Sequence, residues 1–77
     1  MTVGVDVSKN ELVYCTRTTK PRSVDNSLDG VTSLLDTLSS DAVIAMEATG
    51  RYYRLLADTA HSRGFKVIVH NPKDVNK

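Results

Sequence analysis

Two acidic side chains stand where strands should be apolar. Asp6 lies between Val5 and Val7, and Glu47 closes the apolar run Ala42 to Met46. The other aspartates fall in polar connections or on the polar sides of helices. Burying an ionised carboxylate is expensive without a partner, and neither strand segment offers a basic one. If the two strands are neighbours, the carboxylates also repel each other. A divalent cation resolves both problems, because Mg²⁺ takes carboxylate oxygens and keeps waters for a substrate. Ligands of open α/β sheets gather at the carboxyl ends of strands, where Glu47 falls. Gly4 removes a side chain beside Asp6. The plainer reading of each acid is an Asp bonded to a loop or at a sheet edge, and a strand-terminal Glu facing water.

Further polar residues flank these two. Ser8 and Lys9 follow the Asp6 strand and could touch a phosphate or simply form a turn. Thr49 and Gly50 precede a helix whose free amides suit a phosphate; Thr49 equally suits a cap. Arg51 and Arg54 lie in that helix's first turns and could meet a nucleic-acid backbone or only water. Tyr52 and Tyr53 could stack on bases, though at least one belongs to a core. Arg17, Lys20 and Arg22 flank a hairpin connection and read as a surface loop. His61 and His70 have no ligand spacing to another His or Cys and read as structural. Cys15 reads as a small buried hydrophobe.

The elements that position these residues follow from periodicity. Val3, Val5 and Val7 alternate with Gly4, Asp6 and Ser8, a strand over 2–8. Ser8-Lys9-Asn10 turns the chain into a second strand over 11–16, with a third, shorter one over 22–26. Pro21 suits the entry of that strand or a sheet edge. Leu28, Val31, Leu34, Leu35 and Leu38 then fall on one helical face, with Asn26 or Ser27 as the cap and Asp29 in the first turn. Ser39-Ser40-Asp41 ends the helix. Ala42 to Met46 reads as a central strand covered on both faces. A second helix runs over 51–63, its apolar side being Tyr52, Leu55, Leu56 and Ala60, with Tyr53 as a further candidate and Gly64 as its left-handed terminator. Phe65 to Val69 is a fifth strand, stopped by Asn71-Pro72, and Pro72 could start a further helix. The order β-β-β-α-β-α-β implies a three-strand antiparallel meander joined to parallel strands by right-handed crossovers.

Composition sets the bounds. With 77 residues there is room for one domain at most. A hydrophobic fraction of 40% and a charged fraction of 25% are globular values. No apolar stretch approaches the roughly 18 residues of a membrane span. The first residues show no secretory pattern. One cysteine makes neither an internal disulfide nor a zinc site. A cytoplasmic protein is the expectation. Net charge is +1, with residues 1–50 at four bases against seven acids and residues 51–77 at six against two.

Three segments together resemble a known family. These are Val3-Gly4-Val5-Asp6-Val7-Ser8-Lys9, then Met46-Glu47-Ala48-Thr49-Gly50 with a tyrosine-containing helix, then Gly64, an apolar strand and Asn71-Pro72 with Val75 beyond. Asn26-Ser27 and the leucine helix fit the segment between. The order and spacing resemble the insertion-sequence transposases with a RuvC-like Asp-Glu-Asp-Asp domain, related to the Piv pilin-gene invertase, over essentially the whole chain. The resemblance implies an α/β ribonuclease H-like mixed sheet, incomplete at the C-terminus. It implies that Asp6 and Glu47 are the first two of four metal-binding carboxylates, acting as ligands rather than nucleophiles. The family's last two aspartates lie on a later helix, and neither Asp58 nor Asp74 matches them. Residues 1–77 would then be the N-terminal part of a catalytic domain, with a later helix and a serine-bearing second domain outside it. For the intact recombinase the resemblance implies two Mg²⁺ (or Mn²⁺) ions, cleavage and strand transfer on DNA, self-association and a structured guide RNA, in a bacterial or archaeal cytoplasm without a membrane role. The piece alone would be inactive.

Two other classes compete. The actin-like ATPases and sugar kinases also begin with a hairpin bearing an Asp and hydroxyl residues, but Glu47-Ala48-Thr49-Gly50 is foreign to them. A degenerate ribonuclease H-like domain serving only as an interaction module is the other.

Overall fold

The computed structural model describes residues 1–47 and 50–70. It contains β1 (Thr2–Val7), β2 (Glu11–Cys15), β3 (Arg22–Asp25), α1 (Leu28–Asp36), β4 (Val43–Glu47), α2 (Arg54–Ser62) and β5 (Lys66–His70). The expectations for Ala48, Thr49, Asn71, Pro72, Asp74 and Val75 lie outside the described residues.

The five strands form one sheet in the order β3-β2-β1-β4-β5. β1 pairs antiparallel with β2, and β2 with β3; β1 and β4, and β4 and β5, are parallel. The meander and the parallel half therefore meet at β1, the central strand.

Both crossovers, β3 to β4 through α1 and β4 to β5 through α2, step the same way across the sheet. Right-handed crossovers of that kind put both helices on the same face. The burial follows this: β1 alternates exposed and buried along its length, with Val3, Val5 and Val7 inward. Leu12, Ile44 and Met46 join them from the neighbouring strands. Val31, Leu34 and Leu35 of α1 and Leu56 and Ala60 of α2 close the core from above.

Local chemistry explains the helix ends. Ser27 caps α1: its backbone is extended, and its Oγ accepts from the Gly30 amide at 3.1 Å. Gly30 is sterically required, since a Cβ there would overlap the Asp25 carbonyl oxygen where α1 passes the end of β3. After α2 the chain turns at Gly64, whose φ of +89° favours glycine. Arg63 then pairs with Asp36 at 2.8 Å, linking the two helix ends.

Several expectations need correction. β4 is not covered on both faces: Ile44 and Met46 are buried, while Val43 and Ala45 are half-exposed and Glu47 is exposed. The reason is that both helices among the described residues lie on one face, and no described element covers the other. α1 ends at Asp36 rather than at Ser39, with Thr37 as its C-terminal cap. Leu28 is 61% exposed although it shares the leucine periodicity, because it is the first residue of the helix and precedes the contact with the sheet. α2 begins at Arg54, three residues later than expected, with Tyr53 in the cap position and no side-chain cap bond. Tyr52 and Leu55 are exposed, whereas Tyr53 packs against the core.

Candidate functional site

β1 and β4 are parallel neighbours, so their carboxyl ends lie side by side. Their register pairs Asp6 directly with Glu47. Asp6 falls on the outward phase of β1, opposite to Val5 and Val7, and both acids point to the open face of the sheet. Following the register across all strands, Ser23, Val13, Asp6, Glu47 and His70 form one row.

Burial is therefore not what makes these carboxylates unusual. Both are exposed, which corrects the premise that Asp6 sits in an apolar interior. Their peculiarity is adjacency: two anionic side chains directly opposite each other on neighbouring strands repel. Among the described residues, no arginine or lysine pairs with either acid. Arg63 pairs with Asp36, and Glu47 Oε1 has a long contact with His70 Nδ1, at 3.7 Å.

Beside the pair runs a shallow groove of about 420 Å³, lined by Gly4, Asp6, Val13, Cys15 and Glu47 among others. Gly4 lies in the groove without crowding: a Cβ there would approach nothing nearer than the Cys15 carbonyl oxygen, at 4.0 Å. The absence of a side chain at Gly4 thus keeps the groove open. Cys15 is half-exposed on this face rather than buried.

The flanking residues take different places. The Ser8 amide and Oγ both donate to the Glu11 carbonyl at 2.9 Å, so Ser8 closes the β1–β2 turn. Lys9 is exposed on that same turn, three residues from Asp6. Gly50 is exposed with φ +132°. Arg51 is exposed and lies over the Tyr52 ring at 6.0 Å. Arg54, also exposed, opens α2. The β1–β2 turn and the segment entering α2 leave the sheet at the same end, so Lys9 and Arg51 belong to the end that carries Asp6 and Glu47. Thr49 lies outside the described residues.

Two residues escaped the sequence reading. His70, taken as structural, stands beside Glu47 at the end of β5. Its signal was the alternation Lys66, Ile68, His70, which becomes informative once β5 is set parallel to β4. Asn26, weighed only as a helix cap, bonds to both segments that leave the site. Its side-chain amide donates to the Ser8 carbonyl at 2.9 Å and to the Tyr52 carbonyl at 3.0 Å.

The donor set fits a hard cation in part. Asp6 and Glu47 supply oxygen ligands on adjacent strands, the donors Mg²⁺ and Mn²⁺ accept. Among the described residues, no group of three or more ligating side chains is close enough to hold a metal.

A mixed five-strand sheet in this order, with two parallel strands beyond a three-strand meander, is an α/β ribonuclease H-like arrangement. Residues 3–77 match the family of IS110-type DEDD transposases, described as "Transposase". The match spans nearly the whole chain, and the chain belongs to that family. A search of the curated proteins finds no match. No helix among the described residues is long and apolar enough to cross a membrane.

Proposed function

We propose that this chain is the N-terminal part of the catalytic domain of a DNA transposase that cleaves and transfers phosphodiester strands with Mg²⁺ or Mn²⁺. The observation that supports this most is the direct pairing of Asp6 with Glu47 on the open face, at the carboxyl ends of two parallel strands. Membership of a transposase family makes DNA the natural partner.

In this reading Asp6 and Glu47 are metal ligands and not nucleophiles. When bound, the cations would stabilise charge on the attacking and leaving oxygens of a phosphodiester. The rigid β1–β4 ladder holds the two carboxylates at strand spacing, and the open groove beside Gly4 leaves room for a backbone to approach. Lys9, Arg51 and Arg54 supply positive charge around that end for phosphate contacts. Ser8 serves the turn, with its hydroxyl already committed to Glu11. Two further carboxylates, from a segment later in the intact protein, would complete the ligand set, so residues 1–77 alone would cut DNA little or not at all. Self-association and a guide RNA belong to the same proposal for the intact recombinase and rest on family resemblance.

The test is recombination by the intact transposase carrying Asp6→Ala or Glu47→Ala, in Mg²⁺. Each variant should lose strand transfer while retaining DNA binding in Ca²⁺. Wild-type rates in either variant would remove that residue from the metal site.

A further inference from the structure

We propose that Asn26 is a positioning residue for the Asp6/Glu47 site, a clamp whose single amide group ties together the two segments that leave it. This inference rests on the metal-site reading for its functional consequence, but its geometry stands independently.

Asn26 sits between the last residue of β3 and the Ser27 cap of α1. Its backbone amide donates to the Asn10 carbonyl at 3.0 Å, which extends the β2–β3 pairing by one bond. Its side-chain NH₂ then donates twice, to the Ser8 carbonyl at 2.9 Å and to the Tyr52 carbonyl at 3.0 Å. Ser8 comes two residues after Asp6, and Tyr52 comes five after Glu47. One nitrogen therefore joins the chain leaving β1 to the chain leaving β4, just beyond the paired carboxylates.

The chemistry selects asparagine. Both acceptors are main-chain carbonyls, so the bridging atom must carry two N–H bonds. An aspartate of the same shape would present oxygen to two oxygens. A serine has one donor, and glutamine is a methylene too long for the same reach. The amide orientation is forced for the same reason, and it has a cost. With the NH₂ facing the two carbonyls, Asn26 Oδ1 is buried and finds no hydrogen-bond partner among the described residues. A buried acceptor left unpaired calls for an explanation, and the double bridge provides it.

Without the clamp, the β1–β4 ladder still ends at Asp6 and Glu47, but no other hydrogen bond among the described residues joins the two outgoing segments. Groups hydrogen-bonded directly to a metal ligand are worth about 10- to 100-fold in metal affinity; Asn26 acts through the main chain beyond the ligands, so about tenfold is its ceiling.

The experiment uses the ¹⁵N-labelled 77-residue chain, with Asn26→Ala, Asn26→Asp and, as a control, Leu38→Ala, which trims a partly buried side chain just after α1. Mn²⁺ chloride is the probe. Paramagnetic broadening reads its binding, and ¹⁵N relaxation without metal reads backbone motion. In wild type, broadening should centre on the amides around Asp6 and Glu47. Both Asn26 variants should show raised motion at residues 8–10 and 50–53 together, and an Mn²⁺ affinity lower by about three- to tenfold. Leu38→Ala should change the affinity less than about twofold even where its melting temperature falls as far. Raised motion at only one segment, or at neither, would overturn the clamp. Raised motion at both with unchanged Mn²⁺ affinity would overturn its positioning role. If wild type shows no broadening at Asp6 or Glu47, the metal-site reading fails, and the joint motion of the two segments still decides the clamp.

Discussion

Replacing Asp6 by Asn should stabilise the metal-free chain, the opposite of the usual outcome of a substitution. Asp6 faces Glu47 directly across the β1–β4 ladder, with no arginine or lysine among the described residues paired to either. Neighbouring strands lie about 4.8 Å apart, which sets the carboxylates roughly 5–6 Å from each other. At a water-like dielectric, suited to exposed groups, the repulsion is about 0.7–0.8 kcal/mol. Screening leaves about 0.6 kcal/mol at roughly 0.01 M salt and about 0.1 kcal/mol at 1 M. For a domain this size the low-salt gain corresponds to a melting temperature higher by about 2–5 °C. Thermal unfolding followed by circular dichroism in chelator-treated buffer, at both salt concentrations, measures it. Adding Mg²⁺ should reverse the order, because saturation to about ten times the dissociation constant stabilises only the wild type, by about 1.4 kcal/mol. Glu47→Gln should gain less than Asp6→Asn, since it also gives up the His70 contact at 3.7 Å. An Asp6→Asn chain that melts at or below wild type in low salt would refute the repulsion. A gain that persists undiminished at 1 M salt would show that its origin is not charge.

Two further outcomes follow from the fold. Gly30→Ala should destabilise by about 1–3 kcal/mol, read from the urea midpoint, because the added methyl group overlaps the Asp25 carbonyl of β3. Helix propensity alone gives the opposite sign, a gain of about 1 kcal/mol, so a stabilised variant would contradict the close approach of α1 to β3. Asp41 should titrate below its ordinary value of 3.8, because it accepts a hydrogen bond from the Ser39 hydroxyl at 2.8 Å, with smaller help from its own backbone amide and the N-terminal amino group. A carboxyl lowered by folding adds stability above its unfolded value and loses it as pH falls through the folded value. Ser39→Ala should therefore move the Asp41 titration, followed by NMR, back toward 3.8 and lessen the acid-side loss; an unmoved titration would discount the Ser39 bond.

The local pattern alone determined a good deal. Alternation in Thr2–Val7 marked a strand with one apolar face, and the leucine period marked α1. Asn26-Ser27 and Gly64 marked a helix start and a helix end through short-range chemistry, a side-chain oxygen for a free amide and a left-handed φ, and the structure gives the cap to Ser27. The order of elements sufficed for a meander joined to parallel strands. Asp6 and Glu47 stood out as acids on strands, and the family resemblance was legible in the segments around them.

Only the tertiary structure decided which face of the sheet is covered. That depends on the direction in which both crossovers step, a non-local property that no single segment encodes. It made Asp6 and Glu47 exposed rather than buried and left Cys15 half-exposed beside the groove. The register that sets Asp6 against Glu47 and Glu47 against His70 arises from pairing strands dozens of residues apart. Asn26 illustrates the same limit. Read along the chain it is a capping candidate, and its role appears only when β3, the β1–β2 turn and the entry to α2 meet around one amide. Periodicity reports what each segment buries, whereas a site formed at strand ends depends on which ends the fold brings together.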